Sequence, residues 1–339
     1  MKIYSYQDAP LRVYGVPHFD KTRELRRLPD ELLDLPEMAS IKHHKLGLRA
    51  TGARVRFRTN SQHLTVKLSI DPSFDIGMSL WAAQAAYVYV GPQTALRYLG
   101  HVAGNKYEDA SFEKTLGKSG EMEDVTVYLP RNVHVNALEI GIDDGAEIEA
   151  PTPYKYEKPI VFYGSSITEG GCATIPTNAY TAKVSRRLDA DHINLGFSGN
   201  ARGELCMADY INTLDMSIFV LDYDHNAPTV EHLAATHEPF FLRVREAHPE
   251  LPIVMMTRPN DTQDPDARHA IVRKTYENAL ARGDRNVYFI SGRTFLGEDE
   301  RQFCTIDGVH PNDLGFDRMC AHIEPVLRGI LEETMQGDF

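Results

Sequence analysis

From Ile160 onward the chain alternates short, largely apolar runs with longer helix-forming stretches, and few folds accommodate that pattern. The runs are Ile160-Val161-Phe162-Tyr163, His192–Leu195, Ser217–Leu221, Ile253–Met256 and Val287–Ile290. Helical periodicity follows near Ala179–Leu188, Glu204–Leu214, Val230–Ala247 and Ala267–Arg282, and an amphipathic stretch from Leu314 to Met335 closes the chain. Strands this short and apolar are buried on both faces, which is the condition of a parallel sheet covered by helices on either side. The expected unit is α/β: a five-stranded parallel sheet between helices, in a flavodoxin-like three-layer arrangement. Its ligands bind beyond the carboxyl ends of the strands.

The first 150 residues have a different texture. Arg54–Arg58 and His63–Ile70 alternate apolar with polar residues around the turn Thr59-Asn60-Ser61-Gln62. Ala86–Val90 ends at Gly91-Pro92, and Val125–Leu129 and Val133–Ile142 are split by Pro130-Arg131-Asn132. Alternation of this kind predicts antiparallel strands with one buried face. Several of them predict a β-sandwich, jelly-roll-like. Pro151, Pro153 and Pro159 mark an extended connector, since proline lacks the N–H a regular element needs. The expected organisation is a sandwich over 1–150, a linker over 151–158 and the α/β unit over 159–339.

Charge and cysteine content exclude several classes. Lysine plus arginine is 36 against 48 acidic residues, a formal net charge of -12. Nucleic-acid binding by counterion release needs clustered positive charge, so no such partner is expected. The densest basic cluster, Arg23–Arg27, reads as a solvated face. Cys172, Cys206, Cys304 and Cys320 form no Cys-x-x-Cys pair, which speaks against a zinc knuckle or dithiol motif. The uncharged run Ile76–Leu96 is broken by Gln84, Gly91, Pro92 and Gln93, so it is not read as a membrane span. The start lacks the apolar core of a signal peptide. A cytoplasmic protein with reduced thiols is the expectation.

Four chemically suggestive segments fall at predicted strand ends. Gly164-Ser165-Ser166-Ile167-Thr168-Glu169-Gly170 follows the first strand and can project a hydroxyl into the crevice. Asp307-Gly308-Val309-His310 follows the fifth, and an aspartate three residues before a histidine can fix the imidazole tautomer. Asn194-Leu195-Gly196-Phe197-Ser198-Gly199-Asn200 and Asp222-Tyr223-Asp224-His225-Asn226 offer glycine N–H groups and an asparagine amide as oxyanion donors. Each alone is more often an ordinary turn. Together, with no competing Ser/His set, they describe acyl-transfer chemistry. Arg202, Glu204 and Arg258 also follow strand ends and are candidates for orienting a polar substrate.

On these residues the chain resembles the SGNH hydrolases, also called GDSL esterases and lipases, over about residues 159–335. The resemblance assigns Ser166 as nucleophile, Gly199 and Asn226 to the oxyanion hole, and Asp307 and His310 to the Asp-x-x-His of the last block. Ser165 replaces the family's usual aspartate, and the usual Gly-x-Asn-Asp is absent. The first part, with Arg27-Leu28-Pro29 and Gly52–Thr59, looks like the β-sandwich that precedes some bacterial SGNH esterases. That group's Gly-x-Asp-Leu-Tyr signature survives loosely as Ala85-Ala86-Tyr87-Val88-Tyr89. Members with this layout are typically carbohydrate esterases or deacetylases.

The expectation is therefore a serine esterase that cleaves acetyl-sized esters, with a carbohydrate alcohol, through an acyl-enzyme. The N–H groups of Ser166 and Gly199 and the Asn226 amide would hold the oxyanion. It needs no cofactor and no metal. Its partner would be a small-molecule or oligosaccharide ester, with no membrane partner, and a homo-oligomer is left open. Tyr87 and Tyr89 are candidate stacking surfaces for a sugar. The rivals are a lysophospholipase or thioesterase on the same machinery, and a non-catalytic carbohydrate-binding protein.

Overall fold

The computed structural model describes residues 1–260, 262 and 264–337; the last two positions of the expected 159–339 unit lie outside that set. The parallel sheet consists of β1 Tyr156–Gly164, β2 Ala190–Gly196, β3 Ile218–Asp222, β4 Ile253–Met256 and β5 Val287–Ile290. They pair in the order β2-β1-β3-β4-β5, all parallel. The chain leaves β1 in one direction toward β2 and then crosses to β3 on the other side. That reversal opens a crevice at the carboxyl ends of β1 and β3.

The helices are α1 Ser166–Glu169, α2 Tyr180–Leu188, α3 Leu205–Ile211, α4 Val230–Ala247, α5 Pro265–Ala281 and α6 Asp313–Gly337. Successive β1 side chains point to opposite faces. Ile160 and Phe162 pack with Tyr180, Val184, Phe316 and Met319 from α2 and α6. Val161 and Tyr163 pack with Met207, Phe240 and Val272 from α3, α4 and α5. Among the described residues no helix is long and apolar enough to cross a membrane.

The N-terminal part is a sandwich of two antiparallel sheets. One orders Lys2–Ser5, His134–Ile142, His63–Asp71 and Ser111–Gly117. The other orders Ile148–Glu149, Arg54–Thr59, Glu123–Tyr128, Ala86–Val90 and Arg97–Val102, with Arg12–Tyr14 paired to Arg54–Thr59. Val55, Phe57, Val66, Leu68, Val88, Val127 and Ile140 fill the space between them. Ser111–Gly117 carries no apolar alternation because it is an edge strand with only Leu116 buried. Its polar exposed face is what an edge needs, and it hides the strand from a periodicity reading.

Residues 25–48 depart from the expected arrangement. They form short helices, among them Asp30–Leu33 and Ala39–His43, and apart from Leu25 their buried apolar residues do not belong to the sandwich core. Leu28, Leu32, Leu33, Met38, Ile41 and Leu46 share one apolar cluster with Val161, Leu195, Phe197 and Met207 of the α/β unit. The Arg23–Arg27 face is likewise not uniformly solvated. Arg27 is 1% exposed. Its Nη1 donates to the carbonyls of Asn194 (3.2 Å) and Gly196, and its Nη2 to the Leu46 carbonyl at 2.7 Å. A buried guanidinium is tolerated where acceptors satisfy it, and the end of β2 and the Leu46 carbonyl supply them.

Two further arginines cross the same seam. Arg54 meets the Asp191 carboxylate and the Tyr154 hydroxyl, the latter at 3.1 Å. Arg131 donates to the carbonyls of Gly170 and Ala173. If residues 25–48 are part of the α/β core, truncating Met38, which is fully buried, costs as much as a core truncation inside the α/β unit. Met38→Ala is expected to lower unfolding free energy by about 2–5 kcal/mol. Urea denaturation measures it, and an unchanged midpoint would show that the segment merely lies on the surface.

Candidate active site

β1 ends at Gly164, where a Cβ would run into the Thr168 side chain and the Asp222 carbonyl. Glycine here lets the turn sit directly on the end of β3. Ser165 is the N-cap of α1: its Oγ accepts the Ile167 N–H at 3.1 Å. It is 1% exposed and so unavailable to a substrate. Ser166 opens the helix, so its N–H has no intrahelical acceptor. Underneath, the Asp222 carboxylate accepts from Thr168 Oγ1 (2.9 Å) and the Tyr180 hydroxyl (2.8 Å). Burial, together with the nearby Asp224 charge, pushes the Asp222 carboxyl up to about 7, against those two hydrogen bonds.

The loop between β5 and α6 brings in the other groups. Ser166 Oγ lies 2.9 Å from His310 Nε2, and His310 Nδ1 lies 2.7 Å from Asp307 Oδ2. Asp307 Oδ1 also accepts the N–H groups of Val309 (2.9 Å) and His310 (2.8 Å). Partial burial opposes the charge on Asp307, but these hydrogen bonds outweigh it and hold the carboxyl below its ordinary range. The loop is closed by the Ile306 N–H to the His310 carbonyl and by the Asn312 N–H to the Cys304 carbonyl, each at 3.0 Å. Thr174 and Asn178 both reach Asp313, which ties the serine's loop to the start of α6.

Gly199 and Asn226 line the same cavity as Ser166 and His310. Gly199 has φ +68° and open space around it. Asn226 Nδ2 donates to the Phe197 carbonyl at 2.9 Å. An amide has two N–H bonds, so one remains for the cavity.

Glu169, which the motifs did not single out, joins these pieces. It is 1% exposed. Its Oε1 accepts from Arg27 (3.2 Å) and Arg49 (3.3 Å), and its Oε2 from the Ser198 N–H (3.1 Å) and hydroxyl. Burial would raise its pKa, but Arg49, Arg27 and the Ser198 hydrogen bonds prevail and the carboxyl lies below its ordinary value. One side chain thus connects the serine helix to the residue before Gly199, and arginines from the N-terminal 50 residues balance its charge. A Cβ on Gly196 would collide with the Glu169 backbone, so glycine there permits the approach.

The three candidate orienting residues do not line the cavity. Arg202 donates to the Gly199 carbonyl through Nε (3.2 Å) and Nη2 (3.0 Å). Glu204 accepts from the Tyr163 hydroxyl (2.8 Å) and the Arg202 N–H (3.1 Å). Arg258 is 3% exposed and donates to the carbonyls of Thr262 and Asp224. All three brace the loops that carry the site. Tyr87 and Tyr89 are also elsewhere. Tyr87 is buried beside Tyr128, and the Tyr89 hydroxyl bonds Thr177 at 2.9 Å in the seam. What the sandwich contributes instead is Asp75 and Ile76, which form one wall of the cavity. Asp75 is held by Arg49 at 3.3 Å and by Asn132 at 2.8 Å.

Residues 157–328 match the model of the GDSL-like lipase/acylhydrolase family, and residues 1–148 match that of the N-terminus of SGNH-hydrolase-type esterases. The chain belongs to the GDSL-like lipase/acylhydrolase family, with the N-terminal domain of the SGNH-type esterases before it. Among solved structures, a protein from Bacteroides ovatus described as a GDSL-like lipase is 27% identical over 98% of both chains, with a TM-score of 0.86. The salicylyl-acyltransferase SsfX3 of a tetracycline biosynthetic pathway is 22% identical, covering 97% of this chain and 98% of its own, with a TM-score of 0.79. An acetyl xylan esterase from the rumen bacterium Butyrivibrio proteoclasticus is 14% identical, covering 98% of this chain and all of its own, with a TM-score of 0.60. The last two share the fold. No curated protein matches.

The Glu169 arrangement has a measurable pH signature. Its depressed pKa means that its stabilisation is complete above about pH 4.3, the unfolded value, and is lost as pH falls through the lower folded value. Glu169→Gln leaves Arg27 and Arg49 without their shared carboxylate, an expected cost of about 3–5 kcal/mol near neutrality. The difference between wild type and variant should be steady from about pH 7 to about pH 5 and narrow below that, read from urea midpoints. A difference that stays constant would show that the carboxyl's pKa is the same folded and unfolded, and one that shrinks as pH rises would show that it is protonated in the folded protein.

Proposed function

We propose that this protein is a serine esterase that hydrolyses short acyl esters, acetyl above all, of a saccharide-type alcohol through an acyl-enzyme. The observation that carries this reading is the continuous chain from Ser166 Oγ through His310 to Asp307, at 2.9 and 2.7 Å. In this reading Ser166 Oγ attacks the ester carbonyl while His310 Nε2 takes its proton. Asp307 holds the ring in the tautomer that leaves Nε2 able to accept, and stabilises the imidazolium. The oxyanion is received by the N–H groups of Ser166 and Gly199 and the second N–H of Asn226. His310 then protonates the leaving alcohol. Water, deprotonated by the same ring, attacks the acyl-Ser166 ester and releases the acid and the free hydroxyl.

The cavity supports the choice of alcohol. Its volume is about 930 Å³, and it is broad and open to solvent. Asp75, Glu231 and Asp264 stand on its walls, against Arg268, whose Nη1 donates to the Asp224 carbonyl at 2.7 Å. That excess of carboxylates favours a neutral, hydroxyl-rich substrate and repels a phosphate headgroup, which weighs against a lysophospholipid. The acetyl xylan esterase among the fold neighbours points the same way.

Two measurements test the reading. Ser166→Ala is expected to abolish hydrolysis of p-nitrophenyl acetate, and His310→Ala to lower it by roughly 10²–10⁴-fold. Ser165→Ala, which removes only a helix cap worth about 1 kcal/mol, keeps most activity. A fluorophosphonate adduct mapped to any residue other than Ser166 would overturn the assignment. Along a series from acetate to octanoate esters, kcat/KM should fall. A matching acyl groove would instead add about 0.8 kcal/mol per methylene, close to fourfold. A steady rise would therefore move the protein to the lysophospholipase or thioesterase class.

A further inference from the structure

His225 stands beside Asn226 in the loop after β3 and lines the cavity together with Ser166 and His310. Neither the family motifs nor the mechanism above uses it. Its two ring nitrogens have different surroundings. Nδ1 is buried and has no hydrogen-bond partner. Nε2 makes no hydrogen bond to a described residue, on a ring that lines the cavity. A buried N–H without an acceptor costs more than a buried lone pair without a donor. The ring therefore keeps its proton on Nε2, where the cavity can use it.

The groups around the ring keep it in that form. Burial first, then the Arg258 guanidinium, His310 and the Arg268 guanidinium, push the His225 pKa down to about 3, against a smaller opposing effect of Asp307. The imidazole stays neutral at any pH well above that value, so it neither competes for the Ser166 proton nor adds a charge. It is a fixed neutral donor. Its place near His310 sets what it can meet. The group that protonates the leaving oxygen lies on the alcohol side of the ester, while the acyl oxygen faces Gly199 and Asn226.

We propose that His225 is a specificity-determining residue, whose Nε2–H donates to a hydroxyl or ring oxygen of the alcohol next to the ester being cleaved. This rests on the esterase reading above and narrows it. The preferred alcohol carries an oxygen on a carbon close to the esterified one, as a saccharide does. An alcohol without such an oxygen leaves the donor facing only water.

The test compares two acetyl esters on the same enzyme: an acetylated monosaccharide with free neighbouring hydroxyls, and p-nitrophenyl acetate. The readout is the ratio of their kcat/KM values, which does not depend on how much of a variant preparation is folded. His225→Phe fills the space without a donor and is expected to lower the ratio about fivefold, the size of one net hydrogen bond. The loss should appear mainly in KM for the sugar ester. His225→Gln retains an N–H donor and should recover part of the ratio. A ratio unchanged in His225→Phe would overturn the assignment and leave His225 a support for Asn226. Failure of the wild type to cleave either ester would instead overturn the esterase reading, and this inference with it.

Discussion

The buried carboxylate of Glu169 is the point on which the site's geometry depends. Three parts of the chain that are distant in sequence meet on its two oxygens: the helix opened by Ser166, the loop that carries Gly199, and the arginines at positions 27 and 49. A carboxylate this deeply buried is tolerated only because each oxygen is fully hydrogen-bonded and its charge is matched. Once it is in place, neither the serine turn nor the Ser198–Gly199 loop can shift without breaking a charge-assisted bond. The proposed oxyanion site would draw on that rigidity, because donors that must rearrange lose their advantage.

The division of labour between the two halves follows from this. The parallel sheet positions Ser166, His310 and Asp307, the groups proposed to carry the chemistry. The first 150 residues supply countercharge, through Arg27, Arg49, Arg54 and Arg131, and one wall of the cavity, through Asp75 and Ile76. The sandwich is therefore not an appended binding module resting against a complete enzyme. Charges on the serine's side of the seam are balanced from across it.

Much of this was legible in the sequence where the signal is local. The five strands could be read because each is a short apolar run closed by a turn, and Ser166, Asp307 and His310 because they sit in compact motifs at strand ends. Gly199 and Asn226 follow from the same logic, and the structure places both at the cavity. Signals that depend on a distant partner could not be read. Arg27 lies in a basic cluster whose local composition suggests solvent, and its burial is decided by Glu169, 142 residues away. Arg202, Glu204 and Arg258 follow strand ends as a ligand-binding charge would, but a charge that braces its own loop has the same local pattern. Asp75 and Ile76 carry no motif at all. They reach the cavity because the two halves pack together.

The docking of residues 25–48 into the α/β core also bears on how the chain comes off the ribosome. Leu28, Met38 and Ile41 are synthesised early, but the surfaces they cover, Leu195, Phe197 and Met207 among them, follow more than a hundred residues later. At roughly 5–20 residues per second, the interval between Arg27 and Glu169 is on the order of 10–30 s. During that time the strands of the sandwich can pair, while an apolar stretch between its second and third strands remains uncovered. The nascent chain passes through a stage with a formed sheet and an exposed greasy loop, and that stage is where a chaperone would have most to protect.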